Sequence, residues 1–210
     1  MEIKTAYRVH TLEKLLPLKI PNNIFSMSQL FNNYGLKNVK EYPANSLVVA
    51  FIPNFFGQLA GSGYSQANVY DTGNTARTID FSTTIQITNP TAGSESSWGL
   101  VLGAGTSAVT LSDYHLSSLI THGSGTGQLF YNLTANYNSF PPITNSNTNY
   151  WSTLRPISNF DTSDLTVNEA GIVIRNTAFN FLIERTLLGS PYNFVAKSSA
   201  VFEYILKITV

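Results

Sequence analysis

"WGLVLGAGTSAVTLSDYHLSSLI", residues 98–120, decides the fold class, because an apolar run followed by G-x-G-x-x-A has the outline of a dinucleotide-binding turn. Such a turn needs a strand before the glycines, a helix opening directly after them, and an acid about 20 residues on for the ribose hydroxyls. The strand is present in the pattern. The helix is not, because β-branched Val109 and Thr110 stand where it should open, and Ser112 reads as the N-cap of a later, separate short helix. The downstream stretch "THGSGTGQLF", residues 121–130, holds no acid, and after Asp113 the next carboxylate is Asp161. A cofactor-binding α/β unit is set aside, and the question becomes what else uses these glycines.

The flanking sequence answers with alternation. In "ARTIDFSTTIQITN", residues 76–89, Ile79, Phe81, Ile85 and Ile87 fall on one parity, and Thr78, Asp80, Ser82, Thr84, Gln86 and Thr88 on the other. Leu129, Tyr131, Leu133 and Tyr137 share a side in "QLFYNLTANY", as do Phe179, Phe181 and Ile183 in "TAFNFLIERT". Phe202, Tyr204, Leu206, Ile208 and Val210 carry the pattern to the last residue, so this end is expected to be tied into a sheet. "SLVVAFI", residues 46–52, is a continuous apolar run suited to a buried strand.

Helical spacing is confined to "SMSQLFNNYGL", residues 26–36, with Met27, Leu30, Phe31 and Tyr34 on one face, Ser26 and Gln29 as a capping box and Gly35 as a stop. Residues 138–164 are rich in Pro, Asn, Ser and Thr and read as a long irregular excursion carrying Tyr150, Trp151 and Phe160. The expected fold is all-β: an antiparallel, jelly-roll-like β-sandwich with one or two short helices. Residues 1–43 are expected to form an N-terminal arm, and 44–210 the sandwich domain with its long loop near 138–164.

A chain of 210 residues suits one domain that buries roughly 70% of its unfolded surface. Charged residues make up 11% of it, against a usual share of about 25%, and the formal net charge is zero. Between Tyr42 and Thr153 Arg77 is the single Lys or Arg, so this span offers no basic patch for nucleic acid. The first 41 residues carry a mild basic excess, which suits a solvated face or an arm against an acidic neighbour. Without cysteine there is neither disulfide framework nor thiolate chemistry. No signal-peptide pattern and no apolar window of membrane-spanning length is found, so a soluble chain is expected.

Candidate chemistry is sparse. His115 and His122, seven residues apart beside Asp113, match no established ligand or triad spacing. Asp71 and Asp80 are the best carboxylate pair that folding might assemble, and "GSGTGQ", residues 123–128, lacks the Lys-Ser/Thr of a phosphate loop. No catalytic residue, metal site or cofactor is expected. Tyr150, Trp151 and Phe160 suit a protein- or sugar-binding surface, or plugs that pack the excursion back onto the body.

Residues 98–120, then "VNEAGIVI" at 167–174, "FLIERTLL" at 181–188 and "VFEYILKITV" at 201–210, resemble in type and order a module of phage virion structural proteins, found in tail, fibre or minor capsid components. The likeness covers the C-terminal half. It implies that the glycines form a tight connection, and that Glu169 and Arg185 are structural, a pair fixing the register of neighbouring strands. The function it implies is that of a virus structural protein, a capsid or head/tail-associated subunit acting by self-assembly in the virion. Its partners would be copies of itself and other virion proteins, with no nucleic acid and no membrane span. Inter-subunit contacts are expected from Leu15, Leu16, Ile20 and Phe25 in the arm and from Tyr150, Trp151 and Phe160 in the loop. The alternative is a receptor- or carbohydrate-binding module, with a glycan or receptor at the same aromatics. A hydrolase would need Asp71, Asp80 or His115 in a convergent cluster.

Overall fold

A computed structural model describes residues 2–12, 36–44, 47–51, 53–54, 65–80, 85–86, 96–132, 137–138, 143–145, 148–176 and 178–209. The strands are β1 (Glu2–Leu12), β2 (Leu36–Ala44), β3 (Ser65–Tyr70), β4 (Ala76–Asp80), β5 (Ile85–Gln86), β6 (Gly99–Gly103) and β7 (Phe130–Tyr131). They continue with β8 (Tyr137–Asn138), β9 (Ile143–Asn145), β10 (Thr148–Ser158), β11 (Leu165–Asn176), β12 (Phe179–Phe194) and β13 (Ser199–Thr209). Every pairing between these strands is antiparallel, so the chain is all-β.

Among the described residues the larger sheet runs β2-β1-β13-β10-β7, with β8 and β9 also on β10; the smaller runs β12-β11-β5 with β6 on β11; β3 and β4 form a hairpin. Tyr7, Trp151, Phe202 and Tyr204 of the larger sheet join Leu100, Leu102, Ile172, Ile174 and Phe181 of the smaller in one hydrophobic cluster.

The C-terminal run is strand β13, paired on both edges by β1 and β10. Both of its faces are buried from Val201 to Ile205, where a half-solvated strand was expected to alternate. The cleanest alternating stretch divides between two partners, since β4 pairs with β3 and β5 with β11; residues 81–84 and 87–89 lie outside the described residues.

Four expectations are corrected. Residues 2–12 and 36–44 are not an arm: β1 lies between β2 and β13, with Tyr7 opposite Tyr204. Residues 148–158 are not irregular; they form β10, a central strand of the larger sheet, and the connection to β11 narrows to residues 159–164. Of "SLVVAFI", the described residues 47–51 do not form a strand: Leu47 bridges to Glu184, Phe51 N–H donates to Val48 O, and Asn54 N–H donates back to Ala50 O, while Ser46 and Ile52 lie outside the described residues. The Asn54 side chain also donates to Ala50 O at 2.8 Å.

The short helix after Ser112 does not form. Asp113 takes the Thr110 N–H and hydroxyl, and the N–H groups of Ser117 and Ser118 point to the carboxylate of Glu169 instead of to carbonyls one turn back. The helix expected over 26–36 falls, up to residue 35, outside the described residues.

Candidate functional site

The register of the smaller sheet places Gly103 opposite Glu169 and Gly171 opposite Arg185, so these residues share one face. Loop 104–119 covers that face, and the polar groups between loop and sheet form one network. Arg185 is 2% exposed at its side chain and Glu169 0%. The guanidinium Nε donates to Glu169 Oε2 at 2.7 Å, Nη1 to Asp113 Oδ2 at 2.6 Å, and Nη2 to Ser107 O at 2.8 Å. From the other side the N–H groups of Gly105 and Ser118, with the Ser117 hydroxyl, donate to Glu169 Oε1, and the Ser117 N–H donates to Oε2. A buried carboxylate is thus held by one fork and a ring of loop donors, the arrangement that makes a buried ion pair tolerable.

Burial alone would raise the Asp113 carboxyl, but the hydrogen bonds from Thr110 and Arg185 outweigh it and hold it below the ordinary aspartate range. The stability it contributes is present above that range and is lost as the pH falls through the lowered value. Arg185 moves the other way: burial disfavours its charge, while Asp113 and Glu169 more than restore it.

The glycines now have their reason. A methyl group on Gly103 would lie 2.7 Å from both the Glu169 Cγ and the Ser118 carbonyl oxygen, and one on Gly105 would collide with Ser117 Oγ and Glu169 Oε1. The absence of side chains lets the backbone close on a carboxylate. Gly103→Ala is expected to destabilise by about 1–3 kcal/mol, since a backbone carbonyl must move. Gly189→Ala, with nothing within 4 Å of the new methyl, should stay within about 0.5 kcal/mol. Urea unfolding of the two variants makes the comparison.

Among the described residues, polar ties from Tyr7, Tyr131 and Arg155 reach from the larger sheet to the smaller. Tyr7 of β1 donates its hydroxyl to Glu184 Oε2, while the Tyr131 hydroxyl beside β6 donates to Ile120 O and accepts from Leu102 N–H. Arg155 of β10, itself 0% exposed, donates Nη1 to Leu100 O at 2.8 Å and to Trp98 O at 3.3 Å, with its guanidinium 4.7 Å from the Tyr131 ring centre. Sequence reading missed Tyr7, Arg155 and Glu184. For Glu184 the signal was a second charge inside "FLIERTLL".

The other candidates are dispersed. Asp71 caps the β3–β4 turn, its Oδ1 accepting from Gly73 and Thr75 N–H and its Oδ2 from Arg77 Nε at 2.6 Å. Asp80 ends β4. His115 is exposed in loop 104–119, and His122 accepts the Tyr131 N–H on Nδ1 at 3.2 Å.

Trp151 sits in β10 with 6% exposure, so its ring faces the interior and is not offered to a partner, contrary to the expectation. Tyr150 precedes it in the same strand. Phe160, half-buried, packs edge-on against Phe130 at 5.1 Å. Leu15, Leu16, Ile20 and Phe25 lie outside the described residues. Among the described residues there is no group of three or more His, Cys, Asp or Glu placed to hold a metal, and no helix long and apolar enough to cross a membrane.

No protein-family model, no curated protein and no solved structure matches the chain.

Proposed function

We propose that this chain is a virus structural protein, a capsid or head- or tail-associated subunit of the virion that works by self-association, its two larger sheets forming a β-sandwich of jelly-roll type. One observation carries the reading. The short motifs in which the chain resembles phage virion proteins, the glycines after β6, Asp113, the "NE" of β11 and the "ER" of β12, lie far apart in sequence and are joined by a single buried network. The side-chain ties of Tyr7, Tyr131 and Arg155 between the larger and smaller sheets support face-to-face packing.

That network fixes a loop whose outer side presents Leu111 at 71% exposure. Val49 lies beside it at 61%, with its N–H bonded to Leu111 O. The two line an apolar groove of about 590 Å³ with Leu47, Phe51 and Val69. Exposed apolar grooves of this kind mark contact surfaces. With zero net charge, copies of the chain approach one another without long-range repulsion, which favours a second copy as the occupant.

Light scattering coupled to size-exclusion chromatography over a concentration series tests this. A closed oligomer or large particles are expected, with Leu111→Asp weakening association at least about tenfold while melting stays within a few degrees of the parent. A monomer at every concentration would overturn it. That outcome would favour the carbohydrate-binding alternative, for which the structure offers a cavity of about 280 Å³. Thr72, Ser96, Ser97, His115 and Asn180 line it, and the buried Asn180 Oδ1 has no hydrogen-bond partner.

A further inference from the structure

Glu184 is 0% exposed and stands on the face of β12 opposite to its neighbour Arg185, turned toward the larger sheet. Its two oxygens meet hydroxyl groups: Oε1 accepts from Thr186 Oγ1 at 2.5 Å, and Oε2 from Tyr7 on β1. The Tyr204 ring of β13 lies tilted against the Tyr7 ring, 5.2 Å between centres, so a second buried tyrosine stands beside the one that holds the carboxyl.

We propose that Glu184 is a proton-dependent latch between the two sheets, closed while its carboxyl is neutral and loosened when it ionises. The neutral acid bridges Tyr7 on one sheet and Thr186 on the other, one of these hydroxyls accepting its proton. The ionised form would place a charge in the inter-sheet core with two hydroxyl donors and the Tyr204 ring around it.

The surrounding groups fit that assignment. On β11, Ile172 lies opposite Glu184 with Gly171 beside it, and neither titrates. Arg155 of β10 reaches into the same inter-sheet layer, where its Nη1 is directed to the Trp98 and Leu100 carbonyls. Segment 47–48 brings Leu47 and Val48. Strand β2, which packs on β12, carries Lys37, Lys40, Glu41 and Tyr42 in its sequence.

Burial pushes the Glu184 carboxyl up to about 8, against the pull of the Thr186 and Tyr7 hydrogen bonds. Tyr7 and Tyr204 are raised as well, by burial first and then by the charge Glu184 would carry. The sign follows from the folded state binding the extra proton. The stabilisation is whole below the ordinary glutamate value near 4.5 and is lost as the pH rises toward about 8.

The unfolding constant of the full chain, measured in urea at a series of pH values, is therefore expected to rise about tenfold per pH unit between about 5 and 8 from this group alone. Glu184→Gln, which keeps the bridge without the proton, should flatten that rise. Hydrogen-exchange protection in β1 and β12, corrected for the intrinsic rise of exchange with pH, should fall over the same interval in the parent and not in the variant. An identical slope in parent and variant would overturn the proposal, and so would a parent profile with no rise above pH 5. Should Glu184→Gln fail to fold, carbon-13 titration of the glutamate carboxyls in the parent decides. A resonance moving near pH 8 supports the latch, and all glutamates titrating at or below about 5 refutes it.

Discussion

Arg185→Met is expected to remove about 3–5 kcal/mol of folding stability, a large part of the roughly 5–15 kcal/mol that a domain usually has. Methionine fills much of the same volume, so the loss comes from the charge left behind. The guanidinium supplies Glu169 with its cationic partner at 2.7 Å, neutralises Asp113 at 2.6 Å and ties down Ser107 O at 2.8 Å. Without it, Glu169 keeps the loop N–H donors but sits fully buried with no counter-charge in that network.

Arg185→Lys should recover part of the loss, because a point charge restores the ion pair but not the fork that reaches Glu169, Asp113 and the Ser107 carbonyl at once. The double change Glu169→Leu with Arg185→Met should cost less than Arg185→Met alone, since the fully buried charge is removed and only the part-exposed Asp113 loses its cation. Urea unfolding gives the energies, and hydrogen exchange over residues 104–119 reports whether the loop lifts from the sheet. A stability for Arg185→Met within about 1 kcal/mol of the parent would show that the network contributes little.

Much of the smaller sheet is legible in the sequence, because its key residues stand out by type even though they are far apart in the chain. "WGLVLG" cannot be the start of a phosphate-binding turn when β-branched residues follow, and Glu169 and Arg185 stand out in a chain so poor in charge. What the sequence cannot display is the second covering of a strand. Strand β12 is buried on both faces from Phe181 to Thr186, one face against the larger sheet and one against loop 104–119. Glu184 and Arg185, adjacent in sequence, therefore enter two different environments.

The same double burial hid β10. Its residues Ser152, Thr153, Arg155 and Ser158 are all buried, so polarity there does not mark solvent; Arg155 and Ser158 spend theirs on internal hydrogen bonds. Pro156 added to the misreading, yet a mid-strand proline is tolerable here: its carbonyl receives the Asn132 N–H, and the missing donor falls where β10 is flanked by only a two-residue strand. Strand β1 was legible in principle, since Ile3, Tyr7 and Val9 share one parity against Lys4, Arg8 and His10. Read for charge instead of period, those residues looked like an arm.

Trp151→Ala is the sharpest consequence of that correction. If the indole belonged to an exposed recognition loop, its removal would leave the fold intact and abolish only binding. In the structure it is 6% exposed, belongs to the core cluster and meets Tyr204 edge-on at 6.1 Å, in the strand that β13 pairs along its whole length. Truncating a buried tryptophan costs about 3–5 kcal/mol, through lost burial and an unfilled cavity. For a chain of this length that is a fall in Tm on the order of 10 °C. The void would open beside Tyr204 and so within reach of the Tyr7–Glu184 bridge; by easing the burial of that carboxyl it should make the pH-dependent loss of stability smaller and end it at lower pH in the variant. A Trp151→Ala protein that melts with the parent would return this residue to the surface, and with it the reading of residues 148–158 as a recognition loop.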